Sequence, residues 1–309
     1  MQSNSAKVEV FGVDDSHFII NGPGVSPNLF MASDVKGIYD APVTTKYKSS
    51  AYQRGSTYQG KKYEQRDITM GVHIKGQDPA DWEDLDSRWR AAWDYEPDPF
   101  NPASKLAKMS ITTPRSGTRS LYLALTDSPV TESKYDPHLT RTSLLPMTLV
   151  AEQPFWFEDR YEDECSDYFQ TGSTGTSEGF VTISNPTDVP MYLKWVVTRG
   201  KWTLPDRQLL GPKYARIPSG EWANRKIILP DLTALQGGAR VDVDPMKLMI
   251  RDFNDTNIIG AMNGIFFMHK VPPFTQAQEV PVKVENAPVG GARVEVFCPR
   301  RWTRPWGLQ

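Results

Sequence analysis

Four histidines, His17, His73, His138 and His269, are the side chains best suited to proton transfer or metal ligation near neutral pH. None stands at a ligand spacing from a second His or a Cys, so no zinc motif is present. Carboxylates offer the other route to chemistry, because two acids on a β framework suffice for glycoside hydrolysis without any local motif. Asp242-Val-Asp244 puts two acids on one face of a strand. Pro245 follows at once, so a solvated strand end with an Asp in the turn is favoured over catalysis and calcium binding. The run Glu158-Asp159 and Glu162-Asp163-Glu164 lacks the spacing and central Gly of a calcium loop and reads as a solvated charge run. The chain has no Gly-x-Ser-x-Gly elbow, no phosphate loop and no Gly-x-Gly-x-x-Gly. The expectation is a non-enzyme with no cofactor and no assigned catalytic, cofactor-binding or metal residue.

The elements that would position any site are mainly strands. Twenty-five Pro and 22 Gly cut the chain into short segments rich in β-branched and aromatic residues. In the first half the strands are expected at Val8 to Phe11, His17 to Ile20, Arg66 to Ile74, Lys108 to Thr113, Leu121 to Thr126 and Leu144 to Glu152. A hairpin is expected at Thr113-Pro-Arg-Ser-Gly117. One helix is expected from Pro79 to about Tyr95, capped by Asp78 and opened by Pro79. Its Trp82, Leu85, Trp89 and Trp93 form one apolar stripe, the mark of a lid over a β core.

Around residue 157 an apolar strand gives way to the acidic connector and then to a Gly, Ser and Thr stretch at 171–179, the expected domain boundary. Beyond it, strands are expected at Phe180 to Ser184, Met191 to Thr198, Arg225 to Leu229, Leu248 to Arg251, Ile265 to Met268, Val280 to Val284 and Arg293 to Phe297. That number and spacing suggest a sandwich or jelly roll. Cys165 and Cys298 read as free thiols of a cytosol-made protein, with a bridge between the first and last strands of this half as the alternative.

Two segments are built for contact. Lys46 to Arg66 mixes six basic residues with four Tyr, a composition of protein interfaces and also of single-stranded nucleic-acid grooves. The protein interface is favoured, because 35 basic against 37 acidic residues leave a net charge of −2 rather than a basic excess. Pro299 to Gln309 is too aromatic to stay free in water, so Trp302 and Trp306 should dock, with Arg over an indole face. The expected contact residues are therefore Tyr47, Tyr52, Arg54, Tyr58, Lys61, Trp302, Arg304 and Trp306. No export leader and no membrane-spanning run is visible.

The ordered pieces resemble a known family. Tyr58-Gln-Gly, Arg66-Asp-Ile-Thr-Met-Gly-Val-His-Ile, the helix ending Trp89-Arg-Ala-Ala-Trp93 and the hairpin Met109 to Leu123 resemble the N-terminal ring-forming domain of siphophage distal tail proteins. Gly179-Phe-Val-Thr-Ile-Ser-Asn-Pro and the strands after it resemble that family's galectin-like β-sandwich. The ending Pro299-Arg-Arg-Trp-Thr-Arg-Pro-Trp-Gly is similar to minor tail proteins of phages infecting actinobacteria.

The resemblance implies a mainly β chain. Residues 1–157 would be a β-sandwich or barrel ring (belt) domain with one α-helix, and residues 158–309 a galectin-like jelly roll carrying a C-terminal arm at 299–309. It implies a homohexameric ring in the virion tail tip, assembled in the host cytoplasm. The implied partners are the tail tube protein, the tape-measure protein, the tail-associated hub protein and other minor tail or receptor-binding proteins. The genome would pass through the ring lumen without sequence-specific binding. The alternative function is a carbohydrate-binding module for the host cell wall, for which Trp195, Trp202 and Trp222 are the available stacking residues.

Overall fold

The computed structural model describes residues 5–131 and 134–308. The first four residues, part of the region in which an export leader was sought, and Gln309 at the end of the expected arm lie outside the described residues. The chain is mainly β, and its contacts divide it into two units. Unit 1 takes the chain up to Trp156 together with Thr303–Leu308, and unit 2 is Phe157–Trp302.

Unit 1 is built on strands β1 (Lys7–Phe11), β2 (His17–Asn21), β3 (Leu29–Met31), β6 (Arg66–Lys75), β7 (Ala107–Thr113), β8 (Gly117–Leu125) and β9 (Thr142–Ala151). They hydrogen-bond in the order β2-β1-β7-β8-β9-β6-β3, and the sheet curls into a nearly closed barrel. Period-2 alternation drives this: β6 buries Arg66, Ile68, Met70, Val72 and Ile74 while the residues between them face outward. The expected hairpin joins β7 to β8, with Thr113 opposite Gly117, whose φ of +69° suits the reversal.

Between β3 and β6 the chain leaves the barrel as a separate antiparallel ribbon of β4 (Val43–Lys48) and β5 (Thr57–Tyr63). Helix α1 (Pro79–Ala91) lies over the core, its Asp78 cap accepting the Asp81 N–H at 2.9 Å. Trp89 is fully buried, edge-on to Phe18 at 5.2 Å and to Trp93 at 5.4 Å. The helix stops at Ala91 rather than near Tyr95. Trp93 turns back onto the Arg90 carbonyl, and the Asp94 carbonyl accepts the Leu125 N–H, so the chain is drawn to the sheet before another helical turn can form. A short helix, α2 (Pro137–Thr140), precedes β9.

The chain passes between the units in β10 (Trp156–Phe157), and α3 (Asp159–Asp163) opens unit 2. One sheet there runs β11 (Asp167–Thr171), β21 (Ala292–Phe297), β13 (Lys194–Thr198), β18 (Gly238–Asp242) and β19 (Ile250–Asp252). The other runs β12 (Gly175–Asn185), β20 (Thr275–Ala287), β14 (Lys201–Pro205) and β17 (Lys226–Ile228). Their inward residues, among them Trp195, Trp202, Val241, Val282 and Val294, form one apolar core, as expected of two packed sheets. Short strands β15 (Leu209–Leu210) and β16 (Ile217–Pro218) pair with each other, and β22 (Arg301–Trp302) closes the unit. Cys165 and Cys298 are both free thiols.

One expected strand is corrected here, and the strand end expected at Asp242-Val-Asp244 is located. Ile265 to Met268 is no strand, because the N–H groups of Met268 and His269 go to the buried Asp206 carboxylate instead of a ladder. The Asp242-Val-Asp244 strand ends at Asp242, whose Oδ1 accepts the Asp244 N–H at 3.0 Å in a turn. Asp244 in turn accepts the Met246 N–H, so both carboxylates serve the turn.

Two measurements test these packings. Trp89→Ala should destabilise unit 1 by about 3–5 kcal/mol, read from urea unfolding, because no neighbouring side chain can refill the space. His269 is held below its ordinary pKa by burial and by Arg225. The unfolded chain therefore takes up the proton first, and stability should fall as pH drops through about 6.5 and below. His269→Gln should flatten that slope, and an unchanged slope would remove His269 as its source.

Candidate functional site

The β4–β5 ribbon has no core of its own. Every residue of β4 is exposed and β5 is almost entirely so, although a two-stranded ribbon alone is marginal in water. Residues 43–63 hold five cations, Lys46, Lys48, Arg54, Lys61 and Lys62, and no acid. Tyr47 and Tyr58 stand opposite each other with ring centroids 5.7 Å apart, edge to face, and each is more than half exposed. Tyr52 and Arg54 occupy the connecting turn, Tyr52 fully in solvent and Arg54 exposed, and the Lys61 ammonium donates to the Tyr63 hydroxyl at 2.8 Å. Five of the contact residues expected from sequence, Tyr47, Tyr52, Arg54, Tyr58 and Lys61, thus lie on one projecting element.

Arg66, at the end of that basic segment, is not part of the exposed surface. It faces inward at the first position of β6, fully buried. Its Nη1 donates to the carbonyls of Gly37, Ile38, Tyr39 and Asp40 at 2.7 to 3.3 Å. Its Nε donates to the Pro154 carbonyl at 2.8 Å and its Nη2 to the Thr303 carbonyl at 2.9 Å. Burial lowers its pKa to about 10, against the pull of Asp40, so the guanidinium stays charged at neutral pH. Trp156 lies beside it, and its indole N–H donates to the Ile38 carbonyl at 3.1 Å.

A second buried arginine continues the pattern. Arg119 donates from Nη1 to the Arg304 carbonyl at 2.9 Å and from Nη2 to the Gly307 carbonyl at 3.1 Å. The Gly307 N–H reaches the Ser116 hydroxyl at 2.9 Å, Arg304 pairs with Asp40, and Trp306 packs edge-on to Tyr39 at 5.3 Å. The last turn of the chain is therefore held inside unit 1 by backbone carbonyls as well as by its aromatic side chain. The expected arm divides: Thr303–Leu308 groups with unit 1, whereas Trp302 is buried in unit 2.

The acidic connector turns out to be engaged rather than simply solvated. Glu158 accepts the Trp302 indole N–H at 2.6 Å and pairs with Arg300 at 3.4 Å, while Glu162 holds Arg301 through both oxygens. The C-terminal arginines lie over Tyr161, 3.6 Å from Arg300, and Phe157, 5.5 Å from Arg301, rather than over an indole as expected, because their partner acids Glu158 and Glu162 flank those two rings in sequence.

A cleft of about 370 Å³ on the outer face of the β13–β18–β19 sheet is lined by charged side chains, including Lys194, Arg240, Asp242 and Arg251. Its tryptophan, Trp195, is a core residue, and so is Trp202, which leaves Trp222 as the exposed one of the three stacking candidates. Among the described residues no group of three or more His, Cys, Asp or Glu is placed to hold a metal ion. No helix of the described chain is long and apolar enough to cross a membrane.

Sequence reasoning missed Arg66 and Arg119 as anchors. The signal was present for Arg66, because alternation along β6 puts it on the same face as Ile68 and Met70.

Comparison with known proteins bears on this geometry. The sequence is 30% identical to the minor tail protein Gp27 of Mycobacterium phage D29, over an alignment of 345 positions spanning 98% of both chains. It is 28% identical to minor tail protein Gp27 of Mycobacterium phage L5, again over 98% of both. Its fold is similar to that of the SPP1 Dit (gp 19.1) protein, with a TM-score of 0.54 at 10% identity over 96% of this chain and 99% of that one. No family model matches the sequence.

The anchoring can be measured. Arg66→Lys keeps the charge but loses the fork that reaches three stretches of chain, and should cost about 3 kcal/mol or more in urea unfolding. It should also expose the C-terminal residues to carboxypeptidase, while Arg119→Met should do so more mildly. Wild-type resistance in Arg66→Lys would show that the carbonyl contacts do not hold the segment.

Proposed function

This chain belongs to the family of minor tail proteins represented by Gp27 of mycobacteriophages D29 and L5, and from that premise we propose that it is a distal tail protein of a siphophage tail tip. In this reading it is a structural subunit of a homohexameric ring that joins the tail tube to the tip proteins. The observation that carries it is the β4–β5 ribbon, whose two strands are exposed and rich in Tyr and Lys, a composition suited to a protein contact. Unit 1 makes the ring contacts through this ribbon. Unit 2, a two-sheet sandwich of galectin-like type, meets other tip proteins.

The similarity of fold to the SPP1 Dit protein supports the reading at the level of architecture. Tube protein, tape-measure protein and hub protein are the partners this role needs, and the genome passes through the ring without base contacts. The role is mechanical and uses no cofactor. Its site is the virion tail tip, reached by assembly in the host cytoplasm.

Antibody labelling of purified virions, with negative-stain imaging of isolated tips, tests this. Label at the distal end of the tail with six-fold averages is the expected result. Label spread along the tube, or tips without six-fold symmetry, would sink the ring assignment.

A further inference from the structure

The ribbon carries +5 in 21 residues, and the chain as a whole carries −2, so the remainder carries −7. The compensating charge is concentrated close by in sequence. Residues 78–98, which are α1 and the loop leaving it, hold eight acids and two arginines. Several of these acids are used locally: Asp78 caps the helix, Asp81 accepts the Gln77 N–H and Asp86 pairs with Arg90 at 2.7 Å. Glu83, Asp84 and Glu96 are exposed and face no Lys or Arg within ion-pair distance among the described residues; Glu83 has the exposed His138 ring 3.6 Å away. Just beyond, Tyr95 is half exposed and Phe100 almost completely so.

On the ribbon, Lys46, Lys48 and Arg54 likewise make no ion pair among the described residues. One unit therefore presents two exposed surfaces of opposite sign, each flanked by exposed aromatic side chains, and no ion pair among the described residues joins them.

We propose that the ribbon of one copy docks on the acidic α1 surface of a second copy, with Lys46, Lys48 and Arg54 meeting Glu83, Asp84 and Glu96 and the exposed tyrosines packing against Tyr95 and Phe100. The occupant is a copy of this chain because the complementary charge and aromatic pattern are both encoded in the same unit. The two surfaces differ, so the contact is head-to-tail and repeats from copy to copy, the geometry that generates rings when the rotation closes. This rests on the ring reading above and specifies which surface receives the ribbon. Complementary charge at such a contact sets register and encounter rate and excludes wrong partners.

The test is a reciprocal charge swap on the full chain, read by sedimentation velocity at low and high salt. One variant carries Lys46→Glu, Lys48→Glu and Arg54→Glu; the other carries Glu83→Lys, Asp84→Lys and Glu96→Lys. Wild type should self-associate at low salt and weaken at high salt, where screening shortens from about 10 Å at 0.1 M to about 3 Å at 1 M. Each variant alone should associate roughly 10- to 100-fold more weakly. Mixing the two should restore association, because each now offers what the other lacks, and so should all six changes in one chain. Circular dichroism and urea unfolding of each variant separate loss of contact from loss of fold.

A wild-type chain that stays monomeric at low salt overturns the proposal, as does a mixture that fails to recover. Loss of association in the ribbon variant with none in the acidic variant also overturns it, since the ribbon then has another acceptor. Unchanged self-association of the ribbon variant, with loss of binding to a double-stranded DNA probe, would assign the ribbon to nucleic acid instead. Each of these results can coexist with six-fold rings in tail tips, so failure here leaves the ring reading standing, whereas absence of the rings removes it.

Discussion

A guanidinium with no access to solvent, that of Arg66, is the contact on which the rest of unit 1 depends. Removing a charge from water is expensive, and an isolated buried cation would not be tolerated. Arg66 is tolerated because its donors meet carbonyl oxygens from residues 37–40, from Pro154 and from Thr303. Those stretches are, respectively, the approach to the ribbon, the approach to unit 2 and the return from it. The guanidinium serves these carbonyls at one point, as a ladder would serve them along a strand. Arg119 repeats the device one turn further along the returning chain, at the carbonyls of Arg304 and Gly307.

The same anchor gives the ribbon its footing. β4 begins three residues after the last carbonyl bound by Arg66, β5 ends three residues before Arg66 itself, and the Glu64 N–H donates to the Pro42 carbonyl at 3.1 Å across the root. A contact surface works best when its base is rigid, because less ordering is left for the moment of association. That backbone bond and the Arg66 contacts tie the two roots of the ribbon together. Gly37 makes the approach possible. At a φ of +82° it passes so close to the Asp67 carbonyl that no side chain fits.

The fold was legible where burial imposes a period. β6, β9, β12, β20 and β21 alternate between core and solvent along most of their length, and α1 announces itself by its cap, its proline and its spaced tryptophans. Illegible strands were those without a buried face. β4 and β5 read as an irregular basic segment because nothing beneath them selects apolar residues at every second position. Ile265 to Met268 shows the converse error: its apolar residues suggested a strand, but its first N–H turns back to the Met262 carbonyl and its last goes to the Asp206 carboxylate. The contact residues were legible as a composition and not as a shape. Tyr47, Tyr52, Arg54, Tyr58 and Lys61 share an element, while Trp302 and Trp306, close in sequence, serve different units.

The charge on the ribbon answers a difficulty created by its exposure. Two strands with free outer edges are a template for pairing with any other extended chain, and lysines along an edge discourage this by like-charge repulsion and by the cost of stripping their water. A ribbon protected in that way can be covered only by a surface that returns the lost hydration as opposite charge. The tyrosines then supply area that is half apolar and half hydrogen-bonding, suited to a partner that arrives wet. Five cations without an acid therefore do two things at once. They keep the uncovered ribbon soluble, and they narrow its acceptable cover to an acidic face, which the helix α1 of an identical chain presents.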